Sequence, residues 1–176
     1  MKHTRIFNSL AILLVFALIS SGACAQNDNA SKPSPPAEAK GKVGDATVTV
    51  NYSSPAVRER TIWGDLVPYG KVWRAGANEA TTVTLDKDVM VEGKALPAGT
   101  YSFYTIPGEG EWTVIFNKTA KQWGTEYDEA QDALRVMATP HKSDEMHERL
   151  AYEVTDGGLV LRWEHMELPI AITATE

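Results

Sequence analysis

From residue 46 onward the chain alternates apolar and polar positions in short runs: ATVTVNY (46–52), TTVTL (81–85), DVMVEG (88–93), TYSFYTI (100–106), EWTVIFN (111–117), ALRVMAT (133–139), RLAYEV (149–154), LVLRWEH (159–165) and PIAITAT (169–175). A period of two sends successive side chains to opposite faces of an extended strand, so nine such runs predict an all-β chain. The separators are turn formers: Glu92-Gly93-Lys94, Pro97-Ala98-Gly99, Pro107-Gly108-Glu109-Gly110 and Asp156-Gly157-Gly158. Short turns of this chemistry join antiparallel neighbours. Trp112, Val114 and Phe116 fall on one face of their strand, and Leu159, Leu161 and Trp163 on one face of theirs. A sheet with one bulky apolar face has to cover it. The pattern therefore predicts an antiparallel β-sandwich of about seven to nine strands, with a distorted barrel as the alternative.

Helix signals are confined to TEYDEAQDAL (125–134) and SDEMHERL (143–150). Each opens on a capping residue, Thr125 or Ser143, followed by acidic residues, which predicts one or two helical turns apiece. No repeat of fixed period and no heptad pattern is visible.

The first residues have a different character. Lys2 and Arg5 precede an apolar run from Leu10 to Ile19, and small residues follow up to Ala23-Cys24-Ala25. This is the order of a Sec-type signal peptide, here residues 1–25. The run is about half the ~20 residues a bilayer-spanning helix needs, and no later stretch approaches that length, so no transmembrane segment is expected. The expected location is periplasmic or extracellular. Cys24 is the only cysteine, and lipidation there is the alternative to cleavage after Ala25. Ser21 stands where a lipidation signal favours leucine, which favours cleavage. Without Cys24 the mature chain has no thiol, and disulfides, thiolate metal sites and thiol catalysis drop out.

Residues 26–41 are rich in proline and poor in large apolar side chains. They are expected to form a disordered linker. The remaining residues 42–176, about 135 in number, suit a single domain with one core. The formal charge of −6 becomes more negative once Lys2 and Arg5 are removed. With no run of basic residues, nucleic acid is not an expected partner.

The alternation fails over YSSPAVRERTIWGDLVPYGKVWRAGANE (52–79). This segment carries three arginines and two tryptophans, and long ordered loops on a rigid sheet are where binding residues concentrate. Arg58, Arg60 and Arg74 each offer a planar fork to a carboxylate, phosphate or sulfate. Trp63, Tyr69 and Trp73 offer faces for stacking, Asn78 both donates and accepts, and Glu79 accepts. The structural alternative is a tied turn, in which Gly76 takes positive φ, Asn78 caps the turn and Arg74 pairs with Glu59 or Glu79.

These residues also carry a resemblance. YSSPAVRERTIWGDLVPYGKVWRAGANEATTVT, LPAGTYSFYTIPGEGEWTVIFNK and LRWEHMELPI resemble the uncharacterised bacterial family known as domain of unknown function 2911, over about residues 43–174. The resemblance implies an exported β-rich domain and supplies no catalytic residues.

Other constellations are weaker. His141, Asp144, His147 and Glu148 would share a helical turn, but a solvated polar face accounts for them, and no four-ligand metal spacing appears. His165, at a strand end, reads as structural. Ser53 and Ser54 lack the surroundings of a nucleophile elbow. No cofactor is called for. The leading function is a binding module of the cell envelope for a small anionic or sugar-like ligand. The alternatives are a hydrolase using Glu79, Asn78 and the arginines, or a domain that docks another envelope protein through the tryptophan-rich loop. Mass spectrometry of the mature protein is expected to place its amino terminus at Gln26; diacylglycerol on Cys24 would establish lipidation instead.

Overall fold

The computed structural model describes residues 33–175. The expected signal peptide and residues 26–32 of the expected linker lie outside the described residues. Two antiparallel sheets make up the domain. The first has the order β1-β2-β3-β6-β7-β8, from β1 (Pro36–Val43), β2 (Ala46–Ser53), β3 (Thr81–Leu85), β6 (Gly99–Ile106), β7 (Trp112–Asn117) and β8 (Asp132–Ala138). The second has the order β5-β4-β10-β9, from β4 (Val89–Val91), β5 (Lys94–Leu96), β9 (His141–Thr155) and β10 (Gly158–Ala174). Among the described residues no helix is long and apolar enough to cross a membrane.

The expected sandwich is present, with ten strands. Trp112, Val114 and Phe116 of β7 face Leu159, Leu161 and Trp163 of β10, and all six are buried. Val48 and Val50 of β2, Val83 and Leu85 of β3, and Phe103 of β6 fill the rest of the same core. The turn chemistry also holds. Glu92 and Gly93 both take positive φ, 45° and 75°, between β4 and β5, as a two-residue primed turn requires.

Three sequence expectations need correction. Residues 36–41 of the expected linker belong to β1, which pairs with β2 from Pro36↔Ser53 to Val43↔Ala46. Their low apolar content fits an edge strand whose side chains point largely to water; a backbone ladder to β2 supplies the order that apolar burial does not. SDEMHERL (143–150) is not helical but lies in β9, where Asp144, Glu145, Glu148 and Arg149 face solvent and the ladder to β10 decides the conformation. In TEYDEAQDAL only Glu129–Gln131 turns, as one 3-10 turn capped by the Asp128 side chain, before β8 begins at Asp132.

The runs 159–165 and 169–175 join as β10, which folds back so that its ends meet. The Ile172 amide donates to the Gly157 carbonyl at 3.1 Å. Glu164, at φ 57°, marks the irregular middle, where the register with β9 shifts twice. At the close approach stands Gly158, with φ 135°; a Cβ there would lie 2.1 Å from the Ile170 carbonyl oxygen and 2.6 Å from the Ile172 nitrogen. Gly158→Ala therefore combines backbone strain with a clash against backbone that has no free rotamer. It is expected to lower unfolding free energy by about 3 kcal/mol or more in urea denaturation. A loss below about 1 kcal/mol would show that the two arms of β10 are not held this closely.

Candidate functional site

The irregular segment 54–80 connects β2 to β3 and closes one end of the sandwich. Its anchors are aromatic. Trp63 inserts beside Trp112, with ring centroids 4.8 Å apart, and meets Trp163 edge-on at 5.9 Å. Trp73 stacks on Trp163 at 5.7 Å with planes 13° apart. Ile62 and Val67 are also buried. Trp73 exchanges both backbone hydrogen bonds with Thr105, at 2.7 and 2.8 Å, and so occupies the place beside β6 where β3 would continue.

The turn that follows is tied at every step. The Ala75 carbonyl accepts from the Tyr152 hydroxyl at 2.7 Å and from the Thr81 hydroxyl at 3.1 Å. Burial pushes the Tyr152 phenol well above its ordinary pKa, so it stays a donor. Positive φ falls on Ala75 (49°) and Asn78 (60°) and not on Gly76. Gly76 is instead needed for space, since a Cβ there would lie 2.6 Å from Thr81 Oγ1. A second loop, residues 118–131, clips the turn from outside. The Ala80 amide donates to the Gln122 carbonyl, and the Gly124 amide to the Asn78 carbonyl, both at 3.1 Å, with Glu79 and Trp123 bridged between them. This loop is held in turn by Tyr127, Asp132 and Arg135. The Tyr127 hydroxyl donates to Asp132 at 2.7 Å, and Arg135 Nε bonds the same carboxylate at 2.6 Å. Burial, then the bond to Asp132, pushes the Tyr127 phenol up to about 12.

Among the sequence-predicted residues, the arginines separate. Arg60 is spent on the segment itself, with Nε donating to Val57 O at 3.0 Å and Nη2 to Ala56 O at 2.6 Å. Arg58 is exposed at φ 50°, and its amide donates to Glu148 at 3.0 Å. Arg74 is half-buried and belongs to no ion pair among the described residues, so the expected strut to Glu59 or Glu79 is not formed. Its Nε is buried and meets no acceptor. Burial lowers the Arg74 pKa from its ordinary value, against a smaller opposing influence of Tyr104. The side chain lies across Gly124, where a Cβ would come within 2.0 Å of Arg74 Cδ.

Arg60, Trp73 and Arg74 line one cleft of about 220 Å³, together with Ser34, Gly76 and Trp163. Asn78 and Glu79 line a neighbouring one of about 320 Å³ with Ser34, Ser53 and Trp123. The Asn78 amide donates to Ser53 Oγ at 3.3 Å, while Glu79 is exposed. Tyr69 lies elsewhere, beside Trp63 on a cleft of about 530 Å³ shared with β9 and β10. A further cleft of about 560 Å³ opens between β8 and β10, and the ionisable groups on its wall among the described residues are Glu92 and Glu111. Sequence reasoning missed Trp123 and Gly124. Their signal was faint: a lone Trp-Gly pair between two alternating runs.

The weaker constellations resolve structurally. His141 and His147 lie on β9, bracketing Glu167 at 3.4 and 3.5 Å, while Arg162 Nε holds that carboxylate at 3.1 Å. His165 Nδ1 lies 3.2 Å from the Ser143 carbonyl. Among the described residues no three His, Cys, Asp or Glu side chains are placed to hold a metal ion.

Residues 34–172 match the model of a family described as Protein of unknown function (DUF2911), and the chain belongs to that family. No curated protein and no solved structure matches it.

The closeness of Gly124 to Arg74 gives a test of the arrangement. Gly124→Ala is expected to displace the Arg74 side chain and to strain the contact with the Asn78 carbonyl, 2.6 Å from the added Cβ. The cost is expected to be about 1–3 kcal/mol in denaturant unfolding, and Arg74→Ala in the same background should recover part of it. No recovery would mean that Arg74 does not rest on Gly124.

Proposed function

We propose that this chain is an exported protein of the cell envelope that binds a small anionic ligand in the cleft between Arg60, Trp73 and Arg74. The observation that carries this reading is Arg74: a half-buried guanidinium on a cleft wall, with no carboxylate opposite it among the described residues. Partial burial of a charge is costly unless it is paired. A ligand carboxylate, phosphate or sulfate would supply the partner, and the fork of Arg74 would receive it through two parallel bonds. Trp73, fixed by its stack on Trp163 and its two bonds to Thr105, offers a rigid apolar wall beside that charge. Export is supported by the order of Lys2 and Arg5, the apolar run and Ala23-Cys24-Ala25. A hydrolytic role for Asn78 and Glu79 gains no support, because these two line the neighbouring cleft, apart from the arginines.

Calorimetric titration with inorganic phosphate, sulfate and short carboxylates tests the reading. The parent protein is expected to bind at least one of them, Arg74→Lys to bind it more weakly because an ammonium lacks the fork, and Arg74→Ala not to bind it. No ion pair is lost in Arg74→Ala, so unfolding free energy should change by less than about 1 kcal/mol. Failure of every anion to bind the parent, or undiminished binding by Arg74→Ala, would overturn it.

A further inference from the structure

We propose that the groove on the other side of the 74–79 turn is a saccharide subsite, so that the ligand whose charge Arg74 receives is an acidic saccharide. The inference rests on the anion reading of Arg74 for the charge and on separate residues for the sugar. Trp123 is 50% exposed, the most open of the large apolar side chains among the described residues. It is also not free to wander. Its backbone forms an antiparallel bridge with Glu79, fixed on either side by the bonds from Ala80 to Gln122 and from Gly124 to Asn78.

Directly opposed residues of an antiparallel pair send their side chains to one face, with Cβ atoms about 5 Å apart. The Trp123 indole and the Glu79 carboxylate therefore leave the same side of the chain as neighbours, and both line the same cleft. An aromatic face beside a carboxylate matches a pyranose: the ring's C–H face packs on the indole, and adjacent hydroxyls donate to the two carboxylate oxygens. Glu79 enters no side-chain hydrogen bond or ion pair among the described residues, which leaves both oxygens for this use.

The groove continues along the outer face of β2 and β3 into a second hollow of about 180 Å³, which shares Pro36, Ser53 and Glu79 with the first. There Asn51 stands opposite Thr82 in the β2–β3 register, a neutral pair that offers both donors and acceptors. Neutral hydrogen-bonding groups around a single carboxylate suit hydroxyls better than an ammonium ion, which would find one countercharge here and Arg74 next door. Ser34 lines both the Trp123 groove and the Arg74 cleft, so the two meet there. A ligand crossing at Ser34 would rest its ring on Trp123 and present its anionic substituent to Arg74.

Three probes separate the parts: inorganic phosphate, a neutral trimer of glucose and a galacturonate trimer methyl-esterified on all but one carboxyl, each titrated by calorimetry and by tryptophan fluorescence. The parent is expected to bind the galacturonate trimer more tightly than the glucose trimer. Trp123→Ala is expected to weaken both trimers about tenfold and to leave phosphate unchanged, while Trp123→Phe restores most of the binding. Arg74→Ala is expected to weaken the galacturonate trimer and phosphate and to spare the glucose trimer. Because Trp123 is exposed, its variants should melt with the parent. Phosphate binding without binding of either trimer, or trimer binding indifferent to Trp123, overturns the saccharide subsite and leaves the anion reading standing. Trimer binding that needs Trp123 but not Arg74, with no phosphate bound, overturns the anion reading and the acidic part of this one.

Discussion

Four indoles decide whether residues 54–80 have a structure at all. This segment lacks any repeating backbone pattern, so sheet hydrogen bonds cannot order it along its length. Trp63 and Trp73 come from the segment, Trp112 and Trp163 from the facing sheets, and their rings lie 4.8–5.9 Å apart. Large aromatic side chains in such pairs contribute roughly 0.5–1.5 kcal/mol beyond the burial of their area. The cluster has a polar cost, since the indole N–H groups of Trp63, Trp112 and Trp163 are buried without acceptors. Trp63 packs edge-on against Trp73 and Trp163, with planes at 83° and 84°.

The polar groups of the segment divide by what they are used for. Arg60 closes its own turn by taking two carbonyls, and Asn78 holds the left-handed corner and bonds Ser53. Those groups are consumed. Arg74 and Glu79 sit within the same turn, which is tied by the backbones of Trp73, Asn78 and Ala80, and their own side chains enter no ion pair among the described residues. A turn can thus be fully tied and still present two charged groups, provided that the ties are made by main-chain atoms and by neighbours such as Tyr152 and Thr81. The question of site or strut is decided residue by residue, not for the motif as a whole.

The architecture was legible because it follows from periodicity. Each alternating run became a strand or part of one, and the β4–β5 turn takes the positive φ that its Glu92-Gly93 sequence announces. Two of the errors have a common cause. β1 and the first half of β9 are polar segments recruited by a neighbouring strand's hydrogen-bonding edge, and backbone pairing leaves no hydrophobic signature in the recruited strand. For the site, residue types pointed to the 52–79 segment, but which arginine would be spent depended on distances set by tertiary packing. Trp123 and Gly124 escaped notice because their roles exist only relative to residues about 45 positions earlier, Glu79 and Asn78.

The charge of the whole chain bears on what Arg74 can select. A protein with a formal charge of −6 repels anions at long range, and a cleft with one uncommitted guanidinium cannot reverse that field. Polyanions would meet repulsion that grows with every charge they carry. A ligand with a single anionic group meets it once and regains the loss within reach of Arg74, where partial burial strengthens the attraction. Its remaining affinity has to come from uncharged contacts, which is what an indole face and neutral hydroxyl and amide groups provide. The acidic surface and the aromatic wall therefore act in the same direction: together they favour a ligand that is mostly neutral and charged at one end.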